Sequence, residues 1–284
     1  MLLKVFAALS AAVTALNAFT IDADKGLLVI AGLAVVRFVV YYFGLILAYA
    51  LWGYVFTELT VKFDKPQPTP SSFWMWNMRQ MSEVVVFVMR INVILTGREK
   101  LPRGQRYLLV CNHRSFFDPI VHQKTLGDEG YVYISKRENF KLPIAGKVMH
   151  KCACMPLERD NNRQALGVVK HSAELIEDDV ASIVIYPEGT RSKKPELLPY
   201  HAGSFKIAQR AAVPVVVCAL YGTDKVLHNF PFKRSDVHLA VLDVIDAQFV
   251  KTHSTKETAE LAQSITQQWY DEMKNPKEKQ LTNV

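Results

Sequence analysis

Two short strings in this chain carry side chains that could do chemistry together. Asn112-His113-Arg114-Ser115-Phe116-Phe117-Asp118 sets an imidazole a few positions ahead of a carboxylate. Tyr186-Pro187-Glu188-Gly189-Thr190-Arg191-Ser192 sets a carboxylate, a glycine and a guanidinium at the end of an apolar run. Imidazoles titrate near neutrality and serve as general bases. A carboxylate beside one can hold the ring in a single tautomer and stabilise its protonated form. Gly189 lets backbone come close to a ligand, and Arg191 offers a planar fork for phosphate oxygens. A base, an orienting acid and an anion-binding loop suit a transfer reaction on a phosphate-bearing alcohol.

For the first string to act as a dyad, the chain must turn inside it. On a helix, positions five apart diverge by about 140°. Pro119 helps, because it steers Asp118 away from the helical region. Asp118 also reads as a plain N-cap with proline at the first helical position, and capping is compatible with orienting the imidazole. The plainer reading of His113 is a hydrogen-bonded loop histidine, and of residues 188–191 a polar turn after a buried strand. A similar pair, His238 and Asp243, falls inside an expected strand, where that spacing puts the side chains on opposite faces.

The elements that must position these strings are legible from periodicity. Residues 91–96, 107–111, 131–135, 152–157, 182–186, 213–220 and 237–244 read as short apolar strands. Residues 119–126, 163–177, 204–211 and 255–274 read as helices, the second introduced by Asn161 and Asn162. Alternating strands and helices predict an α/β fold with a mixed, largely parallel sheet flanked by helices. Sites in such sheets form beyond the carboxyl ends of strands, and both strings follow a strand.

Upstream the texture differs. The chain has 284 residues, half of them apolar, and a net charge of +7. Residues 1–57 hold only Lys4, Asp22, Asp24, Lys25 and Arg37 as charged groups, so nearly all the charge lies downstream. Residues 38–56 are uncharged and rich in aromatics, as befits a helix at or across a bilayer. Arg37 must then snorkel or pair, and a spanning and a half-inserted helix both remain open. Residues 1–20 have the look of a weak signal peptide but read as a first membrane-associated helix, broken at residues 22–26. The organisation expected is residues 1–65 as N-terminal membrane-associated helices, 66–90 as a proline-rich linker and amphipathic helix, and 91–284 as the catalytic domain. The helix within 66–90 could lie on a membrane or pack on the body.

A basic body behind a greasy end suits anionic headgroups or a polyanionic donor. No zinc finger, RNP-like string or basic tract with interleaved aromatics argues for nucleic acid. Cys111, Cys152, Cys154 and Cys218 sit in apolar surroundings and read as reduced core thiols rather than metal ligands. A serine hydrolase is excluded for want of a G-x-S-x-G elbow.

The residues 112–118 and 186–192 resemble the first and third signature blocks, HX4D and EGTR, of the 1-acylglycerol-3-phosphate acyltransferase family within the glycerolipid acyltransferases. Residues 135–138 through 155–159 resemble the second block, and 213–217 the fourth. The resemblance runs from about residue 91 to 245. The departures are Leu157-Glu158-Arg159 where the family has something like Ile-Asp-Arg, Ile144-Ala145-Gly146 where aromatics often precede the glycine, and Val217 in place of a second proline. None removes a reactive group. The resemblance implies transfer of a fatty acyl group from acyl-CoA or acyl-carrier protein to the free hydroxyl of lysophosphatidate, giving phosphatidate. It implies His113 as base, Asp118 as its orienting partner, and Arg159, Arg191 and Lys136 around the acceptor phosphate. Glu188, Gly189 and Thr190 would complete the acceptor loop, Glu188 either orienting the acceptor or bracing Arg191. It implies neither a metal nor a cofactor, since the thioester donor is a substrate, and a membrane-associated protein whose catalytic domain lies on the cytoplasmic side. Glycerol-3-phosphate or another lysophospholipid as acceptor is the nearest alternative, and an inactive membrane lipid-binding protein a more distant one.

Overall fold

The computed structural model describes residues 1–63, 67–158, 161–192 and 196–274. The chain divides into two compact units, Met1–Lys62 and Phe63–Val284.

The first unit is a pair of helices, α1 (Leu2–Thr20) and α2 (Leu27–Thr60), each long and apolar enough to cross a membrane by length and composition. At about 1.5 Å per residue α2 exceeds the roughly 30 Å of a hydrocarbon core. α1 folds back along α2, with Phe6 edge-on to Tyr49 (centroids 6.2 Å apart) and Asn17 Nδ2 donating to the Tyr41 hydroxyl at 2.8 Å. Arg37 pairs with buried Asp22 in the turn, which also takes Lys25 Nζ at 2.6 Å. Pairing with Asp22 gives the Arg37 charge within α2 its partner. Leu28, Val39, Leu47 and Leu51 are among the exposed apolar side chains of α2, as expected of a helix apolar all round.

The second unit begins with α3 (Ser72–Val88), β1 (Ile91–Thr96), β2 (Leu108–Cys111), α4 (Asp118–Leu126), β3 (Tyr131–Lys136), α5 (Ala145–Lys151) and β4 (Met155–Leu157). It continues with α6 (Asn162–Glu177), β5 (Ser182–Ile185), α7 (Lys206–Ala211), β6 (Val215–Tyr221), α8 (Val226–Asn229), β7 (Ser235–Ile245), α9 (Ala247–Thr252) and α10 (Thr255–Lys274). The strands form one seven-stranded sheet in the order β1-β7-β6-β2-β5-β3-β4. The β6–β7 pair is antiparallel and every other pair parallel. This is the mixed, largely parallel sheet that the alternation predicts. Because β1 and β7 run against the rest, their first residues share a sheet edge with the carboxyl ends of β2, β3, β4, β5 and β6.

Burial explains the central strands. All residues of β2 and β5 are buried, and helices cover both faces, so these strands are continuous apolar runs without alternation. α6 starts at Asn161, whose side chain accepts from Gln164 N at 3.0 Å. α3 buries Trp74 and Val86 and packs against α4, α5 and β1.

Three local expectations fail. β4 starts at Met155 rather than at residue 152, because Ala145–Lys151 forms α5. This helix is too short for periodicity to reveal, and its Gly146 sits so close to the preceding turn that a Cβ would meet Phe140 O at 2.1 Å. Asp118 is the first residue of α4 rather than its N-cap, which is Phe117. Finally, a bulge interrupts the β6–β7 register, where Val217 faces Asp243 and Cys218 faces Val241. The extra residue reverses the facing, so His238 and Asp243 share a face opposite Tyr221 and Val217. They still lie about 13 Å apart along the strand.

Candidate active site

β2 and β5 are parallel neighbours, paired from Leu108↔Ile183 to Val110↔Ile185. Their carboxyl ends release the two reactive strings side by side. Asn112, fully buried, closes the end of β2 against β6: its Nδ2 donates to Leu220 O at 2.9 Å and its Oδ1 accepts from Leu220 N at 2.7 Å. The chain then turns, and His113 Nδ1 meets Asp118 Oδ2 at 2.7 Å. The carboxylate is fully buried while the imidazole is 21% exposed. The same Oδ2 accepts from the backbone N–H groups of Arg114 at 2.6 Å and Ser115 at 2.8 Å. These contacts bend the string into the turn that the dyad requires. With Nδ1–H engaged, Nε2 is the ring nitrogen left to act on a substrate.

The second string is fastened to the first through main chain. His113 N donates to Glu188 Oε1 at 2.8 Å, Leu198 N donates to Oε2 at 3.1 Å, and Ser192 N donates to His113 O at 2.9 Å. Glu188 is 2% exposed. Burial pushes its pKa up to about 7, against the pull of the two N–H donors and of Arg114. Both oxygens are thus spent on holding the loops together. Gly189 adopts φ +68°, a left-handed turn that favours glycine, after which Thr190 and Arg191 are exposed.

Lys136 ends β3, one strand beyond β5, with an exposed side chain whose Nζ lies 3.3 Å from Glu138. Arg159 lies outside the described residues. Glu158, just after β4, bonds Arg137. The strand order β2-β5-β3-β4 therefore lines up His113, Arg191 and Lys136 along one sheet edge.

Two further residues build the site: Tyr186, which opens the second string, and His122, which neither string includes. The Tyr186 ring stacks on His113 with centroids 4.4 Å apart, and the His122 ring lies near-parallel to it with centroids 6.1 Å apart. The Tyr186 hydroxyl lies 3.3 Å from His122 Nδ1. His122 is fully buried, and burial lowers its pKa to about 4, so it is neutral at pH 7. Its position four residues after Asp118, hence on the same face of α4, was the available signal. For Asn112 the signal was a polar side chain ending a buried apolar strand, which must find partners.

All four cysteines are buried and unpaired, and burial raises the pKa of each thiol.

Fold and site together define an α/β protein with a His–Asp dyad at the carboxyl edge of a mostly parallel sheet. Residues 92–221, a little under half of the chain, match the family model described as Acyltransferase. It is 38% identical over 134 residues to a chloroplastic 1-acyl-sn-glycerol-3-phosphate acyltransferase of Brassica napus, covering 47% of this chain and 38% of the relative. A chloroplastic counterpart from Arabidopsis thaliana is 36% identical over 139 residues, 49% of this chain and 38% of its own. The chain thus spans well under half the length of these plant relatives. A crystal structure of the 1-acyl-sn-glycerophosphate (LPA) acyltransferase PlsC from Thermotoga maritima superposes with a TM-score of 0.59 at 20% identity, over 70% of this chain and 79% of the other. That likeness concerns the fold.

Proposed function

We propose that this protein transfers a fatty acyl group from a thioester to the free hydroxyl of lysophosphatidate, forming phosphatidate. The observation that carries the reading is the 2.7 Å contact between His113 Nδ1 and a fully buried Asp118, within the residues that match the acyltransferase family model. In this reading His113 Nε2 takes the proton of the acceptor hydroxyl as its oxygen attacks the thioester carbonyl carbon. Asp118 holds the tautomer and stabilises the imidazolium. The tetrahedral adduct collapses, the C–S bond breaks, and the sulfur leaves with the proton carried by His113. No acyl-enzyme intermediate is required, and the thioester is a substrate rather than a cofactor. Ser115 is occupied as a backbone donor to Asp118 and as an acceptor from Phe117 N at 3.3 Å.

Arg191, Lys136 and Arg159 hold the acceptor phosphate, Thr190 and Gly189 shape the approach to it, and Glu188 acts by bracing the loop rather than by touching the acceptor. The plant relatives' names, both of 1-acyl-sn-glycerol-3-phosphate acyltransferases, favour that acceptor. The apolar helices α1 and α2 associate with the bilayer in which acceptor and product reside, with the sheet domain on the cytoplasmic side where acyl-CoA or acyl-carrier protein is found.

The test is release of free thiol by the purified chain in detergent, supplied with oleoyl-CoA and either lysophosphatidate or glycerol-3-phosphate, with His113→Ala alongside. Release that needs lysophosphatidate and vanishes in the variant supports the proposal. Release with glycerol-3-phosphate alone would replace the acceptor. Silence with both, repeated with acyl-carrier protein as donor, would sink the reading.

A further inference from the structure

The segment that joins β6 to β7 presents an unusual surface. α8 (Val226–Asn229) follows the carboxyl end of β6, and β7 starts at Ser235, so the segment lies on the sheet edge that carries His113. Residues 230–234 are all exposed. Phe232 is 88% exposed, Leu227 70% and Phe230 40%. This is not a loosely held loop. Arg90 Nη1 donates to Pro231 O at 2.9 Å and to Phe232 O at 3.3 Å, Lys233 N donates to Asn229 O at 2.7 Å, and Asn229 Nδ2 bonds Ser235 Oγ at 3.0 Å. A hydrogen-bonded frame therefore holds large apolar side chains out in water, where they gain nothing from burial.

The charges around this tip say what would cover it. Arg90 bonds the backbone of the segment that carries the apolar side chains, and Lys225, Lys233 and Arg234 lie along it with Asp224 and Asp236. Arg234 Nε lies 3.4 Å from Asp236, Asp224 lies 3.5 Å from Arg114, and Lys225 Nζ sits 5.6 Å above the Tyr221 ring. Four cations and two anions thus belong to the tip and its frame. Phe87 at the end of α3 and Phe116 beside His113 add exposed rings to the same edge. Apolar side chains set among cations match an acyl layer beneath anionic headgroups.

We propose that Leu227, Phe230 and Phe232 form an interfacial element that enters an anionic lipid leaflet and holds the catalytic edge against it. The role follows from the acyl-transfer reading, in which the acceptor must be drawn from a bilayer. The insertion itself has a readout independent of turnover.

The experiment places a polarity-sensitive fluorophore at Phe232→Cys in the full chain, reconstituted into vesicles of equimolar phosphatidylcholine and phosphatidylglycerol. The buried native thiols are shielded from labelling. Arg103→Cys, exposed ahead of β2 on the opposite sheet edge, is the control. The expected result is a blue-shifted emission at position 232, quenched by nitroxide-bearing lipids and weakened in pure phosphatidylcholine vesicles, with an aqueous signal at 103. An aqueous signal at 232, equal quenching at both positions, or a blue shift that nitroxide lipids leave unquenched would overturn the proposal, the last showing a protein partner or second copy instead. In turnover, Phe230→Ser/Phe232→Ser should lose about tenfold on bilayer-borne lysophosphatidate and keep full rate on a short-chain monomeric one. Equal rates of variant and wild type on both would count against docking. A wild type inactive on both would refute the acyl-transfer reading and leave the fluorescence result standing.

Discussion

The backbone N–H of His113 donates to Glu188 Oε1 at 2.8 Å, and the two residues are 75 positions apart in sequence. The base is thus gripped twice, by Asp118 at its ring and by the second loop at its main chain. Replacing Glu188 with alanine leaves the part-buried N–H groups of His113 and Leu198 without this acceptor, at about 1 kcal/mol or more each. Glu188→Ala should lower the unfolding temperature and kcat together, with Glu188→Gln, which keeps one acceptor, in between. Thermal unfolding and steady-state rates check this. A raised acceptor KM with unaltered stability would instead make Glu188 an acceptor ligand.

His113→Ala should cost about 10²- to 10⁴-fold in turnover. Asp118→Asn should cost a comparable factor, because the buried oxygen that accepts from His113 Nδ1, Arg114 N and Ser115 N loses its charge. Both are read by thiol release at saturating acceptor. Retention of more than half the wild-type rate by either variant would remove the dyad from the chemistry.

Arg191 is exposed at the sheet edge, and its contribution should appear in binding. Arg191→Ala should raise the acceptor KM with little change in kcat, whereas Lys136→Ala, already paired with Glu138, should do less. Lost turnover at unchanged KM in Arg191→Ala would contradict the phosphate role.

Tyr186 faces the His113 ring at 4.4 Å. An aromatic face beside an imidazole stabilises the cation formed in the reaction by about 0.5–2 kcal/mol. Tyr186→Leu should therefore lower kcat several-fold without altering acceptor KM, and Tyr186→Phe, which keeps the ring, should restore it. Equal activity of the leucine and phenylalanine variants would show that the stack is only packing.

His122 links pH to stability. Its pKa in the folded chain, lowered to about 4 by burial, is below the roughly 6.5 of an unfolded histidine. Its contribution is complete above pH 6.5 and lost as pH falls through 4, a change on the order of 3 kcal/mol. Denaturant unfolding at several pH values should show a shallower acid-side loss in His122→Asn than in wild type. Parallel curves would mean that His122 is protonated in the folded state.

Much of this was legible along the chain. The strand Ile91–Thr96 and the start of the helix at Thr255 fall where periodicity places them, because a strand's run of apolar residues and a helix's stripe are local properties. The two reactive strings were legible for the same reason, each being a cluster of polar groups at the end of an apolar run. What the tertiary structure decided is non-local. Strand order alone makes β2 and β5 neighbours, and so brings His113 to Glu188 and Ser192. It also turns Glu188 inward, where burial and two backbone donors make it a brace. The Tyr186–His113 stack and the bulge that reverses the facing of His238 and Asp243 depend on which side chains and strands meet across the sheet. Such contacts are chosen by hydrogen-bond satisfaction and packing between segments far apart in sequence, which residue spacing does not encode.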